Sequence, residues 1–172
     1  MKRFSRYALL VFLLPVTALA AQDGARRETD AGLVRIESTE VVLSAVGHVV
    51  LLKAQNKAVP IFVDAVVAQS ILGALSGEKY PRPLTHDLMR SVLEAFDGSV
   101  SRVVITLKGS TYHADLTVRL RGTTKVFDSR SSDAIALAIH FKAPLLVSRE
   151  TFEKAGQSLD VQRAPRPGER RL

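Results

Sequence analysis

The chain predicts an α+β fold, a single mixed α/β domain of mostly antiparallel strands around a central buried helix. Three observations carry that expectation. Strand-like runs separated by hairpin-length turns occur in two groups, and each group ends in a helix-like run. One of these helices, Ala134-Ile135-Ala136-Leu137-Ala138-Ile139, is apolar on every side, so other elements must enclose it.

The first twenty residues stand apart from this pattern. Lys2, Arg3 and Arg6 make a basic start, Ala8 to Ala20 is apolar except at Pro15 and Thr17, and Ala18-Leu19-Ala20 fits a small-x-small cleavage site. A membrane-spanning helix needs roughly twenty apolar residues, more than this segment offers, so residues 1–20 read as a signal peptide that leaves no transmembrane anchor once cleaved. The product is expected in the periplasm or outside the cell. Residues 21–32 are polar and aperiodic, a leader without predicted structure. The folded domain is expected over 33–160, and 161–172, rich in proline and arginine, reads as a disordered basic tail.

Within the domain, Leu33 to Ser44, His48 to Lys53 and Ala58 to Val63 read as strands, joined at Gly47 and at Gln55-Asn56-Lys57. Pro60 places part of the third at an edge or bulge. Ala65 to Leu75 reads as a helix with Val66, Val67, Ile71, Leu72 and Leu75 inward, ended by Gly77. A second helix begins at Thr85, the expected N-cap, and its apolar residues Leu88, Met89, Val92, Leu93 and Phe96 predict one buried face. Strands follow at Arg102 to Leu107, Tyr112 to Leu120 and Thr124 to Asp128. The central helix runs from Ser131 to Phe141 with Ser131 or Ser132 as its cap. Pro144 to Val147 is a last strand and Arg149 to Ala155 a last helix, opened by Ser148. The two strand-strand-strand-helix groups suggest an internal duplication, each helix following a strand that ends in aspartate, at Asp64 and Asp128.

Composition narrows the chemistry. No cysteine is present, which removes disulfides, thiolate nucleophiles and cysteine zinc sites. The formal charge of +7 comes largely from the ends: three cations lie in the first twenty residues and four arginines in the tail, leaving 15 basic and 13 acidic residues between Leu33 and Asp160. A domain so nearly neutral can hold a local basic patch, but it lacks the general cationic surface of a tight polyanion binder.

The chemistry-bearing side chains gather in two runs, Arg82-Pro83-Leu84-Thr85-His86-Asp87-Leu88 and Asp128-Ser129-Arg130-Ser131-Ser132-Asp133. Both lead into the first turns of helices, where free backbone N–H groups favour negative charge. If these two helix mouths meet, Asp128, Asp133 and Asp87 supply oxygens for a hard cation such as Mg²⁺ or Mn²⁺, His86 is placed to handle a proton, and Arg82 and Arg130 can grip a phosphoryl group. Each has a plainer role as well. The carboxylates suit helix first turns, His86 can tie a loop, and the arginines can pair with the aspartates. No Gly-x-Ser-x-Gly elbow surrounds Ser132, so capping is its expected role.

These two runs, followed by Ala134-Ile135-Ala136-Leu137-Ala138, resemble the paired signature of the bifunctional nuclease domain family, and Val59-Pro60-Ile61-Phe62-Val63 and Pro144-Leu145-Leu146-Val147 sit where that family has similar strands. The likeness spans roughly 33–155. It departs at Ser131, where the family usually has proline, and at His140, where it has arginine. The resemblance implies a mixed α/β fold that tends to dimerise and nuclease activity on RNA and DNA. The leading expectation is therefore an exported, metal-assisted hydrolase of RNA or DNA phosphodiesters, working as a homodimer. The alternatives are a non-catalytic anion- or protein-binding module of the cell envelope and a structural envelope protein without a ligand. N-terminal sequencing of the exported protein should begin at Ala21; an intact Met1 on the membrane-associated product would show an uncleaved anchor instead.

Overall fold

A computed structural model describes residues 31–159. The segments expected as signal peptide (1–20) and basic tail (161–172), and the expected leader up to residue 30, lie outside them. The described residues form nine strands and four helices in two sheets.

The smaller sheet is an antiparallel meander of β2 (Ser38–Ser44), β3 (Gly47–Ala54) and β4 (Lys57–Val63), extended beside β4 by the two-residue β9 (Gln157–Ser158). Gln55 and Asn56 both have positive φ in the β3–β4 turn, with Ala54 opposite Lys57. That is the turn geometry whose twist suits a two-residue hairpin. Pro60 lies opposite Leu51 of β3, beyond the part of β4 that β9 covers. Its missing N–H therefore falls on an open edge, as expected.

The larger sheet has the order β1-β8-β5-β6-β7, from β1 (Leu33–Arg35), β5 (Gly98–Lys108), β6 (Thr111–Leu120), β7 (Thr123–Arg130) and β8 (Leu145–Ser148). Only β5 and β8 are parallel. The single strand expected over 33–44 is thus two, in different sheets. Ile36 N–H bonds Leu145 O in one sheet and Glu37 N–H bonds Lys53 O in the other, so the chain changes partner between adjacent residues. Hydropathy alternation continues across that break and does not report it.

Four helices complete the domain: α1 (Ala65–Ser76), α2 (Thr85–Ala95), α3 (Ser131–His140) and α4 (Arg149–Ala155). The meander β2-β3-β4 followed by α1 and the meander β5-β6-β7 followed by α3 have the same element order. Helix α3 is central, with Ala134 to Ala138 at 2% exposure or less, packed on α1, α2 and strands from both sheets. Its apolar girth thus finds cover on all sides.

The helix ends and faces differ from expectation in four places. The α2 N-cap is Leu84, with Thr85 already helical; the Asp87 carboxylate accepts from the Leu84 N–H at 2.9 Å, half of a capping box. The α3 N-cap is Arg130, not Ser131 or Ser132, and no side chain caps it. On α1, Val67 and Ile71 are buried as expected, but Val66, Leu72 and Leu75 are exposed and Ser70 is buried in their place. On α2, Leu88, Met89, Val92 and Phe96 stay 45–56% exposed, while His86 is buried. This helix meets the core through its first turn and Leu93, so its apolar stripe forms a wall instead of a packed face.

Truncating Ile135, fully buried in α3, to alanine should cost about 2–5 kcal/mol in urea unfolding. A loss under about 1 kcal/mol would mean that α3 is not enclosed.

Candidate functional site

The N-termini of α2 and α3 meet, and the side chains gathered there form a continuous polar chain. Arg130, at the end of β7, donates from Nε to Asp133 Oδ2 at 2.8 Å and from Nη2 to Oδ1 at 2.9 Å. This is the two-point geometry in which a planar guanidinium holds a carboxylate best. Asp133 Oδ1 is also 3.4 Å from His86 Nε2. On its other side, His86 Nδ1 is 3.0 Å from Ser70 Oγ, and Ser70 Oγ is 3.5 Å from His140 Nε2. The chain ends where His140 Nε2 comes within 3.8 Å of Asp87 Oδ1.

Local structure explains how three helices supply one chain. Asp133 and His140 are seven residues apart on α3, so they share a face about 10 Å apart along its axis. His86 and Asp87, in the first turn of α2, bracket that face, and Ser70 of α1 fills the space between the two imidazoles. Ser70, His86 and His140 are 2%, 7% and 8% exposed, while the Asp133 side chain keeps 29%. The buried part is a polar spine that reaches solvent at both ends, at Asp87, whose side chain is 37% exposed, and at Asp133.

The Asp133 end opens into a groove of about 1150 Å³. Its apolar walls include Met89 and Val92 of α2 and Leu116 and Val118 of β6; Asp64, Asp128, Arg130, Arg121 and Lys125 also line it. Two cations stand over aromatic rings nearby, Lys125 Nζ 5.2 Å from the Phe127 centroid and Arg121 Cζ 5.8 Å from that of Phe96. The hydrogen bonds and charge of Asp133 push the Arg130 guanidinium further above its ordinary value, with a smaller contribution from Asp64.

Of the residues singled out by sequence, His86, Asp87, Asp133 and Arg130 come together. Arg82 is exposed on the linker before α2 and takes no part in lining the groove. Asp128 lines the groove but points towards His113, whose Nδ1 is 3.8 Å from its Oδ1. Asp87 accepts the Leu84 N–H and faces His140, while Asp133 holds Arg130. Among the described residues no three His, Cys, Asp or Glu side chains converge as a metal site. Sequence reasoning misses Ser70 and the role of His140. The signals were a lone polar residue on the buried stripe between Val67 and Ile71, and the seven-residue spacing from Asp133 to His140.

The molecule is thus an α+β domain with a polar double helix mouth at the end of an apolar groove. A model of the bifunctional nuclease domain matches residues 49–160, which includes all of that mouth. The chain is 31% identical over 134 residues to the uncharacterized protein Rv1829 of Mycobacterium tuberculosis strain H37Rv, and equally to the uncharacterized protein MT1877 of strain CDC 1551, covering 73% of this chain and 76% of each relative. The chain belongs to the bifunctional nuclease domain family.

Burial pushes the His140 imidazole below its ordinary value; Asp87 pulls it up, and His86 and Arg90 add to the lowering. The unfolded chain therefore takes up this proton at higher pH than the folded one. The stability that His140 contributes is whole above the ordinary histidine range of about 6.5 and is lost as pH falls from there towards the lowered folded value. The urea midpoint should drop between about pH 7 and pH 5, and His140→Gln should flatten that drop. Parallel curves for the two proteins would exclude His140 as its source.

Proposed function

We propose that this protein hydrolyses phosphodiester bonds of single-stranded RNA or DNA in the groove, after export from the cytoplasm. The observation that supports it most is the contact of a buried imidazole, His86, with a part-exposed carboxylate, Asp133, itself gripped by an exposed arginine at the end of a groove that Arg121 and Lys125 also line.

In this reading Arg130 turns its outward N–H groups to the non-bridging oxygens of the scissile phosphate, where charge builds as water attacks. The Asp133–His86 pair takes the proton of that water, the carboxylate as the accessible partner and the imidazole as the group that locates it, and returns that proton to the leaving oxygen as its bond to phosphorus breaks. Lys125 and Arg121 neutralise flanking phosphates, and the exposed rings of Phe127 and Phe96 offer stacking faces to unpaired bases. The proposal includes a homodimer in which a second copy shields part of the apolar stripe on α2, whose exposure in one copy supports it.

A second reading has support of its own. Both ring nitrogens of His86 already have protein neighbours, as suits a module that captures an anion at Arg130 without turnover. The two are separated by incubating the mature protein with single-stranded RNA and DNA oligonucleotides at low salt, with Mg²⁺, with Mn²⁺ and with chelator, while light scattering gives the mass of the active species. Cleavage is expected, falling about 10²-fold or more in Asp133→Asn and His86→Gln with the far-UV spectrum unchanged. Binding without cleavage under all three conditions would establish the capture module instead.

A further inference from the structure

We infer that Ser70 is the positioning residue of this site: its hydroxyl donates to His86 Nδ1 and accepts from His140 Nε2, holding His86 in the tautomer whose Nε2–H points at Asp133. The hydrogen placement stands on the local donors and acceptors. Only its effect on hydrolysis rests on the function proposed above.

The order of hydrogens follows from the ends of the chain inward. Asp133 receives two N–H groups from Arg130, so it is an ionised carboxylate that can only accept. The His86 nitrogen facing it, Nε2 at 3.4 Å, must carry the hydrogen if the contact is attractive. A neutral imidazole has one N–H, which leaves a bare lone pair on Nδ1. Ser70 Oγ is 3.0 Å from that lone pair and has a single proton to give.

With that proton committed, only oxygen lone pairs remain for His140 Nε2, 3.5 Å away. The other group near this nitrogen is the Asp87 carboxylate at 3.8 Å, another acceptor. His140 Nε2 therefore carries a hydrogen too. Burial, which pushes the His140 imidazole down, keeps it neutral with one N–H to direct. Every donor then finds an acceptor in one direction, and no buried side-chain nitrogen or oxygen among the described residues lacks a partner.

The position of Ser70 points the same way. A serine inside a helix commonly bonds a carbonyl one turn back; here the hydroxyl has an imidazole on each side, and the residue is only 2% exposed. Without it, Nδ1 of His86 faces a void and can take the hydrogen itself, which would turn a bare Nε2 towards the Asp133 carboxylate, lone pair against lone pair.

The test is ¹⁵N NMR of the imidazole nitrogens in the mature protein at about pH 8, where an ordinary imidazole is neutral, with His86 assigned from the signal lost in His86→Gln. The wild type should show His86 as the Nε2–H tautomer. Ser70→Ala should raise the Nδ1–H fraction, and Ser70→Thr, which keeps the hydroxyl, should restore the wild-type pattern. In the cleavage assay Ser70→Ala should lower kcat about 10-fold or more, the direction known for a histidine held in the wrong tautomer, with KM unchanged because Ser70 does not touch the substrate. A predominant Nδ1–H tautomer in the wild type, or a His86 spectrum indifferent to Ser70→Ala, would overturn the inference; the wild-type spectrum alone decides should the alanine variant not fold. Absence of cleavage alongside the expected tautomers would refute the hydrolytic reading and leave the role of Ser70 intact.

Discussion

Enclosure of α3 is the constraint on which the rest depends. From Ala134 to Ala138 the helix offers no side to water, so two sheets and two other helices must close around it. Its ends cannot be treated in the same way, because the first turn of any helix carries N–H groups without intrahelical partners. Wherever neighbouring elements pack against such an end, they have to bring polar side chains. In this domain α1 and α2 bring Ser70, His86 and Asp87 against α3, where they meet the side chains of Asp133 in its first turn and His140 in its last.

The parts of this arrangement that were legible in the sequence are those with a strong local cause. Turn residues marked the hairpin at Gln55-Asn56, where both residues adopt positive φ. The uninterrupted apolar run fixed the central helix, and the two polar helix mouths do meet, as the 3.4 Å contact of His86 with Asp133 shows. What stayed hidden depends on tertiary context. The stripe on α2 has the spacing of a buried face, yet the larger sheet ends at β7 and leaves a groove beside it. The face of α1 that goes inward is set by α3, whose small alanines admit Val67, Ala68 and Ser70 in place of the bulkier Leu72 and Leu75. Hydropathy alone ranks those residues in the opposite order.

Charge in the groove is balanced, and that limits what can bind there. Arg121, Lys125 and Arg130 face Asp64, Asp128 and Asp133, so a polyanion gains little from the general field. Selectivity has to come from particular contacts. Arg130 is the cation best placed to provide one, since its side chain is 68% exposed while Asp133 keeps the guanidinium plane fixed. A phosphate approaching it meets a preoriented fork and loses little entropy in ordering it. The price of that preorganisation is that the same carboxylate stands close to the arriving anion, its charge offset by the guanidinium it holds and by the facing imidazole of His86.

Asp87 joins this chemistry to the fold. One of its oxygens holds the Leu84 N–H and so begins α2; the other faces His140 at the far end of the spine. The helix start that places His86 is therefore fixed by the neighbour of His86 itself, and a change at either residue moves both the wall of the groove and the hydrogen bonds beneath it. That coupling accounts for the adjacency of histidine and aspartate in the Thr85-His86-Asp87 run: at successive positions of a first turn, one side chain can reach across to Asp133 while the next turns back to hold its own helix. Separating the two by even one residue would rotate them by about 100° relative to each other, and the spine could then keep its contact with α3 or its cap, but not both.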